Sequence, residues 1–372
     1  MLTDALHVKM LLTDVQQEES TRMSPEIAKA LAHLPKPSSG PTTPAARVQA
    51  LRQASATYDT KLLAMLGPPP ATISEFYHTI TMRDGFQSKL KICQPANAST
   101  ATTIGPLVLL FFSGAFITGT LYNATVVSVA YRLAPEHPFP TAVHDAIDTV
   151  YWAANNAVLP MSASAGTEGK VLHADPRTAG FILGGASSGG NLAAVLTHYF
   201  SPSQNQHTLP QGVRISGQYV GVAQLFPDDG STVPDHLRGK FISRQQNATA
   251  PILNVAALAA GAAALRCKDL SSPLRFPPVD KGSMAELPRT YIQSCGMDPL
   301  RDDGLIYDEL LKEAGVQTKV DFYAGAPHAF WLVTPLEGEE SEVGREAVVD
   351  VLGGIGWLLG RNVDKKAIRE VL

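Results

Sequence analysis

The hydrophobic rhythm of the chain changes near residue 70. Before it, apolar positions recur at helical spacing in "MSPEIAKALAHL" (23–34) and "AARVQALRQASATYDTKLLAML" (45–66). The linker "PKPSSGPTTP" (35–44) parts these two helices, and the breaker "GPPP" (67–70) closes the second. Ser24 is placed to cap the first helix, with Pro25 at its first position, where a missing N–H costs nothing. Beyond the break, "SEFYHTITM" (74–82) and "KLKICQP" (89–95) alternate as strands about the turn Arg83-Asp84-Gly85. Short runs of nearly continuous apolar residues follow: "PLVLLFF", "TVVSVAY", "GFILGG", "ISGQYVGVAQLF", "RTYIQSC" and "KVDFYA". Most are interleaved with helical stretches such as "FPTAVHDAIDTVYWAANNA", "GNLAAVLTHYF" and "DDGLIYDELLKEAG". A strand has no polar side only when both faces of its sheet are covered, so this pattern predicts an α/β domain with a mostly parallel sheet between helices. Segment 227–275, rich in Asp, Gly, Ala and Asn, interrupts the rhythm and reads as an insertion above the sheet, its Ala-rich part (255–264) a helix. The expected organisation is an N-terminal helical cap region (1–72) and a domain (73–372) with a cap insertion at about 227–275.

Composition narrows the function classes. The 372 residues are 45% hydrophobic and 17% charged, which is enough apolar material for a substantial core. A net charge of −4, without a basic run, makes no electrostatic case for nucleic acid or an anionic membrane. No stretch approaches the roughly 18 apolar residues of a membrane span. The N-terminus "MLTDALHVKMLLTDVQQEES" mixes acidic residues among its apolar ones and is not a signal peptide, so a cytoplasmic protein is expected. Cys93, Cys267 and Cys295 are far apart and odd in number, which suits free thiols in a reducing compartment and has no zinc-like spacing. The sequons at Asn97, Asn123 and Asn247 carry little weight without a secretory signal.

Chemistry concentrates at the ends of the apolar strands. "FILGGASSGGNLAAVL" (181–196) sets Gly185-Ala186-Ser187-Ser188-Gly189 between a strand and a helix, the context in which G-x-S-x-G exposes a serine on a sharp turn. The backbone N–H of Ser188 and the helix N-terminus point to the same spot. A serine alkoxide needs a base, and the base needs an orienting acid. Asp298, just past one strand, and His328, just past the next, follow Ser187 in the required order and emerge at the same sheet edge. Each has a plainer reading alone: Asp298 as a turn residue before Pro299, His328 as a surface histidine, and Asp302 and Asp303 as acids favoured at a helix N-terminus.

"YRLAPEHPFP" (131–140), "GGASSGGNLA" (184–193), "DPLRDDG" (298–304) and "GAPHAF" (325–330) together resemble the hormone-sensitive-lipase-like family of α/β-hydrolases. "ADPRTAGF" (174–181) and "LSSPL" (270–274) fit the same pattern, so the resemblance spans roughly 73–335. It implies the α/β-hydrolase fold with an eight-stranded, mostly parallel sheet and helical caps. It also implies esterase chemistry on small-molecule esters with short or medium acyl groups, without metal or organic cofactor. Ser187 would be the nucleophile, Asp298 the acid and His328 the base. Lactone or formamide hydrolysis by the same triad, or a ligand-binding relative with impaired turnover, are the alternatives. The prolines of "YRLAPEHPFP" read as structural, fixing the backbone as it leaves a strand, rather than as a setting for catalysis by Glu136 or His137.

Two departures from the family lie in "LLFFSGAFITGT" (109–120). Where the family has H-G-G-G, whose amides form the oxyanion hole, this chain has Phe112, Ser113, Gly114 and Ala115. The amides of Gly114 and Ala115 would serve with that of Ser188, but the phenylalanine removes a polar group that helps hold the loop. Second, "PLVLLFF" and "TVVSVAY" should be parallel neighbours, joined by a crossover that usually takes at least about 10–12 residues including a helix. Yet only residues 113–124 join them and the oxyanion loop occupies the first half, leaving no room for a helix. The sheet face beside the site is then expected to be partly uncovered. Either the gene model has lost a short exon or the protein lacks the helix and is weakened.

Overall fold

The structure, a computed structural model, describes residues 19–32, 69–96, 104–112, 125–157, 171–202, 207–210, 212–334 and 342–370. The linker 35–44, the helix expected at 45–66, the connection 113–124 with Gly114 and Ala115, and the sequons at Asn97 and Asn123 lie outside the described residues.

Eight strands among the described residues form one sheet: β1 (Ile73–Thr81), β2 (Gln87–Pro95), β3 (Leu107–Phe111), β4 (Thr125–Val129), β5 (Phe181–Ala186), β6 (Gly217–Gly221), β7 (Arg289–Cys295) and β8 (Thr318–Tyr323). The helices are α1 (Pro25–Ala30), α2 (Thr141–Asn156), α3 (Ser188–Tyr199), α4 (Asp235–Arg238), α5 (Ser243–Gln246), α6 (Val255–Leu265), α7 (Lys281–Met284), α8 (Arg301–Glu313), α9 (Glu342–Leu358) and α10 (Lys365–Arg369). The strand order is β1-β2-β4-β3-β5-β6-β7-β8. β1 and β2 form an antiparallel hairpin, β2 meets β4 antiparallel, and every pairing from β4 to β8 is parallel. β3 lies parallel to β4 as expected, Leu107 opposite Thr125 and Phe111 opposite Val129. From β3 the chain goes outward to β4 and then back across to β5, so the strand order reverses beside β3. Crevices at the carboxyl edge of such a reversal are where open α/β sheets bind ligands.

Side-chain alternation along each strand explains the apolar runs. Leu107, Leu109 and Phe111 face α2 and α3, packing with Val143, Ile147, Val150, Leu192, Val195 and Leu196. On the same side Val220 and Ile292 pack with Ile306 and Leu310 of α8. Val108, Val126, Ile182, Tyr219 and Tyr291 point the other way, against Leu358, Val351 and Trp357 of α9. This helix, which local pattern did not mark out, lies over β6 and β7. Nearer the carboxyl edge, the opposed pair Leu110 and Ser128 is only half-buried.

The helix starts follow from capping. The Ser24 hydroxyl accepts the Ile27 N–H at 3.2 Å, with Pro25 as first residue, as the sequence predicts. Asn254 caps α6 by accepting the Ala257 N–H at 2.9 Å, and the alanines behind it propagate the helix although none of its residues is buried. The described part of the N-terminal region packs onto the domain. Ile27 and Leu31 join a cluster with Val222, Cys295, Tyr323, Phe330 and Trp331, and the Ser20 carbonyl accepts the Gly325 N–H at 2.8 Å.

Candidate active site

The elbow between β5 and α3 is held by steric necessity. Ser187 has φ 55° and ψ −120°, a conformation that costs a non-glycine residue about 1–3 kcal/mol and persists only where the surroundings enforce it. Its N–H donates to the Gly221 carbonyl at 2.7 Å, and its own carbonyl accepts the Asn191 N–H at 3.0 Å. Both flanking glycines are required by close approach. A Cβ on Gly185 would sit 2.5 Å from the Phe111 carbonyl oxygen, and one on Gly189 would sit 1.9 Å from the same atom. The end of β3 therefore presses into the first turn of α3, which only glycine allows. Ser187 keeps partial exposure at the carboxyl edge.

Asp298 and His328 meet at that edge. Asp298 is fully buried, and its Oδ2 lies 2.7 Å from His328 Nδ1. Its other oxygen accepts the Leu300 N–H at 2.9 Å. The Met297 N–H donates to the Ala326 carbonyl at 2.9 Å, so the acid loop and the histidine loop are bonded backbone to backbone. Burial excludes a surface histidine, while Asp298 serves both the turn around Pro299 and the histidine. The N-terminal segment braces both loops: a Cβ on Gly296 would come 2.2 Å from the Ser20 carbonyl oxygen, and one on Gly325 2.4 Å from that of Arg22.

The insertion holds this site through contacts that local pattern does not reveal. Asn191 of α3, buried, donates to the carbonyls of Gln224 (2.8 Å) and Arg275 (3.0 Å), tying both ends of segment 227–275 to the elbow helix. Asn247, also buried, donates to the carbonyls of Gly296 (3.0 Å) and Asp298 (2.9 Å). Asp302 and Asp303 do stand in the first turn of α8, but they are buried and serve the insertion. Asp302 accepts the N–H groups of Ile242 (2.7 Å) and Ser243 (2.6 Å). Asp303 accepts those of Leu225 (2.8 Å) and Phe226 (3.2 Å) and pairs with Arg244. Burial pushes the Asp303 carboxyl above the ordinary carboxylate range, and Arg244 opposes that shift.

"YRLAPEHPFP" divides its labour. Arg132 ties its own backbone and guanidinium to Asp145, at 2.9, 3.0 and 2.6 Å, and reaches Asp84 at 2.7 Å, a structural task. His137 lies against Phe86, ring centroids 6.3 Å apart. Tyr131 is different: its hydroxyl donates to the Phe112 carbonyl at 2.6 Å and lies 3.1 Å from Ser188 Oγ. Phe112, in the family's histidine position, stacks on the Tyr131 ring at 4.6 Å and 15°. The loss of the polar histidine thus leaves the start of that loop held by other contacts.

The three cysteines are free, with Cys295 buried, and burial pushes the Cys93 thiol up to about 11. Among the described residues no cluster of His, Cys, Asp and Glu is arranged to hold a metal, and no helix is long and apolar enough to cross a membrane.

A mostly parallel eight-stranded sheet whose edge carries a strained serine elbow defines the α/β-hydrolase class. Comparison with known proteins agrees. Residues 118–332, more than half of the chain, match a family model described as alpha/beta hydrolase fold. An AB hydrolase superfamily protein of Schizosaccharomyces pombe is 31% identical over 243 residues, 64% of this chain and 62% of its own length. A versiconal hemiacetal acetate esterase of Dothistroma septosporum is 32% identical over 242 residues, 64% and 65% of the two chains. This chain thus spans somewhat less than two thirds of the length of these curated relatives. Among solved structures, vibralactone cyclase superposes with a TM-score of 0.75 over 96% of this chain and 100% of its own, at 24% identity, which speaks for the fold alone. The chain belongs to the α/β-hydrolase family, in its hormone-sensitive-lipase-like, carboxylesterase-type group.

Proposed function

We propose that this chain hydrolyses carboxylic esters with short or medium acyl groups through a Ser187-His328-Asp298 triad. The observation that carries the reading is the buried Asp298–His328 hydrogen bond of 2.7 Å at the sheet edge where the Ser187 elbow also ends. In this reading, His328 Nε2 takes the proton of Ser187 Oγ as the oxygen attacks the acyl carbonyl. Asp298, on Nδ1, sets the tautomer and stabilises the imidazolium. The N–H of Ser188 and the amides of Gly114 and Ala115 receive the oxyanion, a contribution worth about 10²–10³ in rate per donor. His328 then passes its proton to the departing alcohol, and water, activated by the same base, releases the acid.

The test is labelling of the purified protein with a fluorophosphonate probe, peptide mapping, and turnover of p-nitrophenyl esters of graded acyl length. Label on Ser187, abolished in Ser187→Ala and reduced at least about 10³-fold in His328→Ala, is the expected result. Turnover that survives Ser187→Ala refutes the proposal.

A further inference from the structure

The tyrosine of "YRLAPEHPFP" has no place in the triad, yet it stands between the two backbone segments that meet at the elbow. Tyr131 follows β4 and is only 8% exposed. Its hydroxyl has one proton, and the Phe112 carbonyl at 2.6 Å can only accept. That proton is therefore committed to Phe112, and at the 3.1 Å contact Ser188 Oγ must be the donor to the phenol oxygen. Burial pushes the phenol up to about 12, so it keeps its proton at neutral pH. One hydroxyl thus links the end of β3 to the residue after the candidate nucleophile. The same two segments touch directly at Gly189, where a Cβ would lie 3.2 Å from the Phe112 carbonyl oxygen and 1.9 Å from that of Phe111. The Phe112 ring, parallel to Tyr131 at 4.6 Å, adds a second attachment to the same tyrosine.

We propose that Tyr131 is a positioning residue for acyl transfer, its hydroxyl fixing the Ser188 backbone, and hence the Ser188 N–H, against the end of β3. The proposal rests on the ester-hydrolase reading of Ser187. A donor acts on a developing oxyanion only if it is in place before the charge forms, so its effect falls on the chemical step rather than on substrate binding. In this chain the tyrosine and Phe112 together do the holding that a polar side chain at position 112 would otherwise do.

Tyr131→Phe keeps the ring and the stack and removes only the hydroxyl. The measurements are the second-order rate of fluorophosphonate labelling, kcat and KM on p-nitrophenyl butyrate, and thermal melting. The expected result is a loss of about 10–100-fold in labelling rate and kcat, with KM within two-fold of the parent and the cooperative melt retained. Ser188→Ala keeps the N–H and removes the donor to Tyr131. It should lower kcat in the same way, and the double variant should lose no more than the worse single one. A parent-like kcat in Tyr131→Phe overturns the proposal, as does a loss appearing in KM alone. Should Tyr131→Phe not fold, Ser188→Ala decides by the same two criteria. A parent chain that takes no label at Ser187 defeats the ester-hydrolase reading and this proposal together; a labelled parent with an equally labelled Tyr131→Phe defeats this proposal only.

Discussion

His198 should make the stability of this protein fall steeply in mild acid. It lies near the end of α3, 2% exposed, with Nε2 3.2 Å from the Tyr307 hydroxyl. Its Nδ1 has no hydrogen-bond partner among the described residues. The side chains it is hydrogen-bonded to are neutral: the same phenol also receives Gln218, which in turn binds Thr290. Burial therefore pushes the imidazole down to about 4, and Asp280 opposes that shift without overcoming it. In the unfolded chain a histidine titrates near 6.5. The unfolded state thus binds more protons between pH 6.5 and 4, so stability is full above that window and is lost as pH falls through it. A fall from near 6.5 to about 4 corresponds to at most about 3 kcal/mol, and to about 2 kcal/mol at pH 5. That is a large share of the ~5–15 kcal/mol by which domains are stable. Carboxylates titrate over the same range, so the assay is a comparison: urea unfolding of the parent and of His198→Gln from pH 7.5 to 4.5. The parent should lose about 2 kcal/mol more than the variant between pH 7.5 and 5. Parallel curves for the two proteins would refute the reasoning, because they would show that His198 binds its proton equally well folded and unfolded.

Three further substitutions test the frame around the site, one of them as a control. Gly189→Ala puts a methyl into the Phe111 carbonyl and forces β3 from the elbow, so it should cost about 1–3 kcal/mol or more in chemical denaturation and slow Ser187 labelling over ten-fold. Gly261→Ala in α6, where a Cβ meets nothing within 4 Å, should instead leave labelling unchanged and raise stability by up to about 1 kcal/mol. Asn247→Ala leaves the carbonyls of Gly296 and Asp298 without their buried donors. It should destabilise by about 1–3 kcal/mol in urea unfolding and lower kcat while KM stays close to the parent value, because the loop carrying the acid loosens.

The residues read as triad members were legible because each announces itself locally: a small-residue turn for Ser187, and a strand end with turn chemistry for Asp298 and His328. Their supports were not. Tyr131 meets its partners 19 and 57 positions away, and a tyrosine after a strand carries no mark of either contact. Asn247 reaches carbonyls 49 and 51 residues on, from inside an insertion whose composition marked only a break in the rhythm and one Ala-rich helix. Asp302 and Asp303 were placed correctly at a helix start, but their burial and their grip on residues 225–226 and 242–243 depend on how the insertion folds back. The packing of α9 over β6 and β7 was missed for the same reason, since a helix does not state which sheet face it will meet.

By itself, then, the sequence determined the alternation of strands and helices, the need for cover on both sheet faces, and the order in which a serine, an acid and a histidine reach one edge. Those features follow from periodicity, backbone sterics and chain direction, which act between near neighbours. Only the tertiary structure decided what braces the site: a phenol shared between β3 and the elbow, an insertion amide on the acid loop, and an N-terminal segment seated on two glycines. Those contacts join residues distant in the chain, and their energies appear only once packing has brought a particular donor within reach of a particular carbonyl.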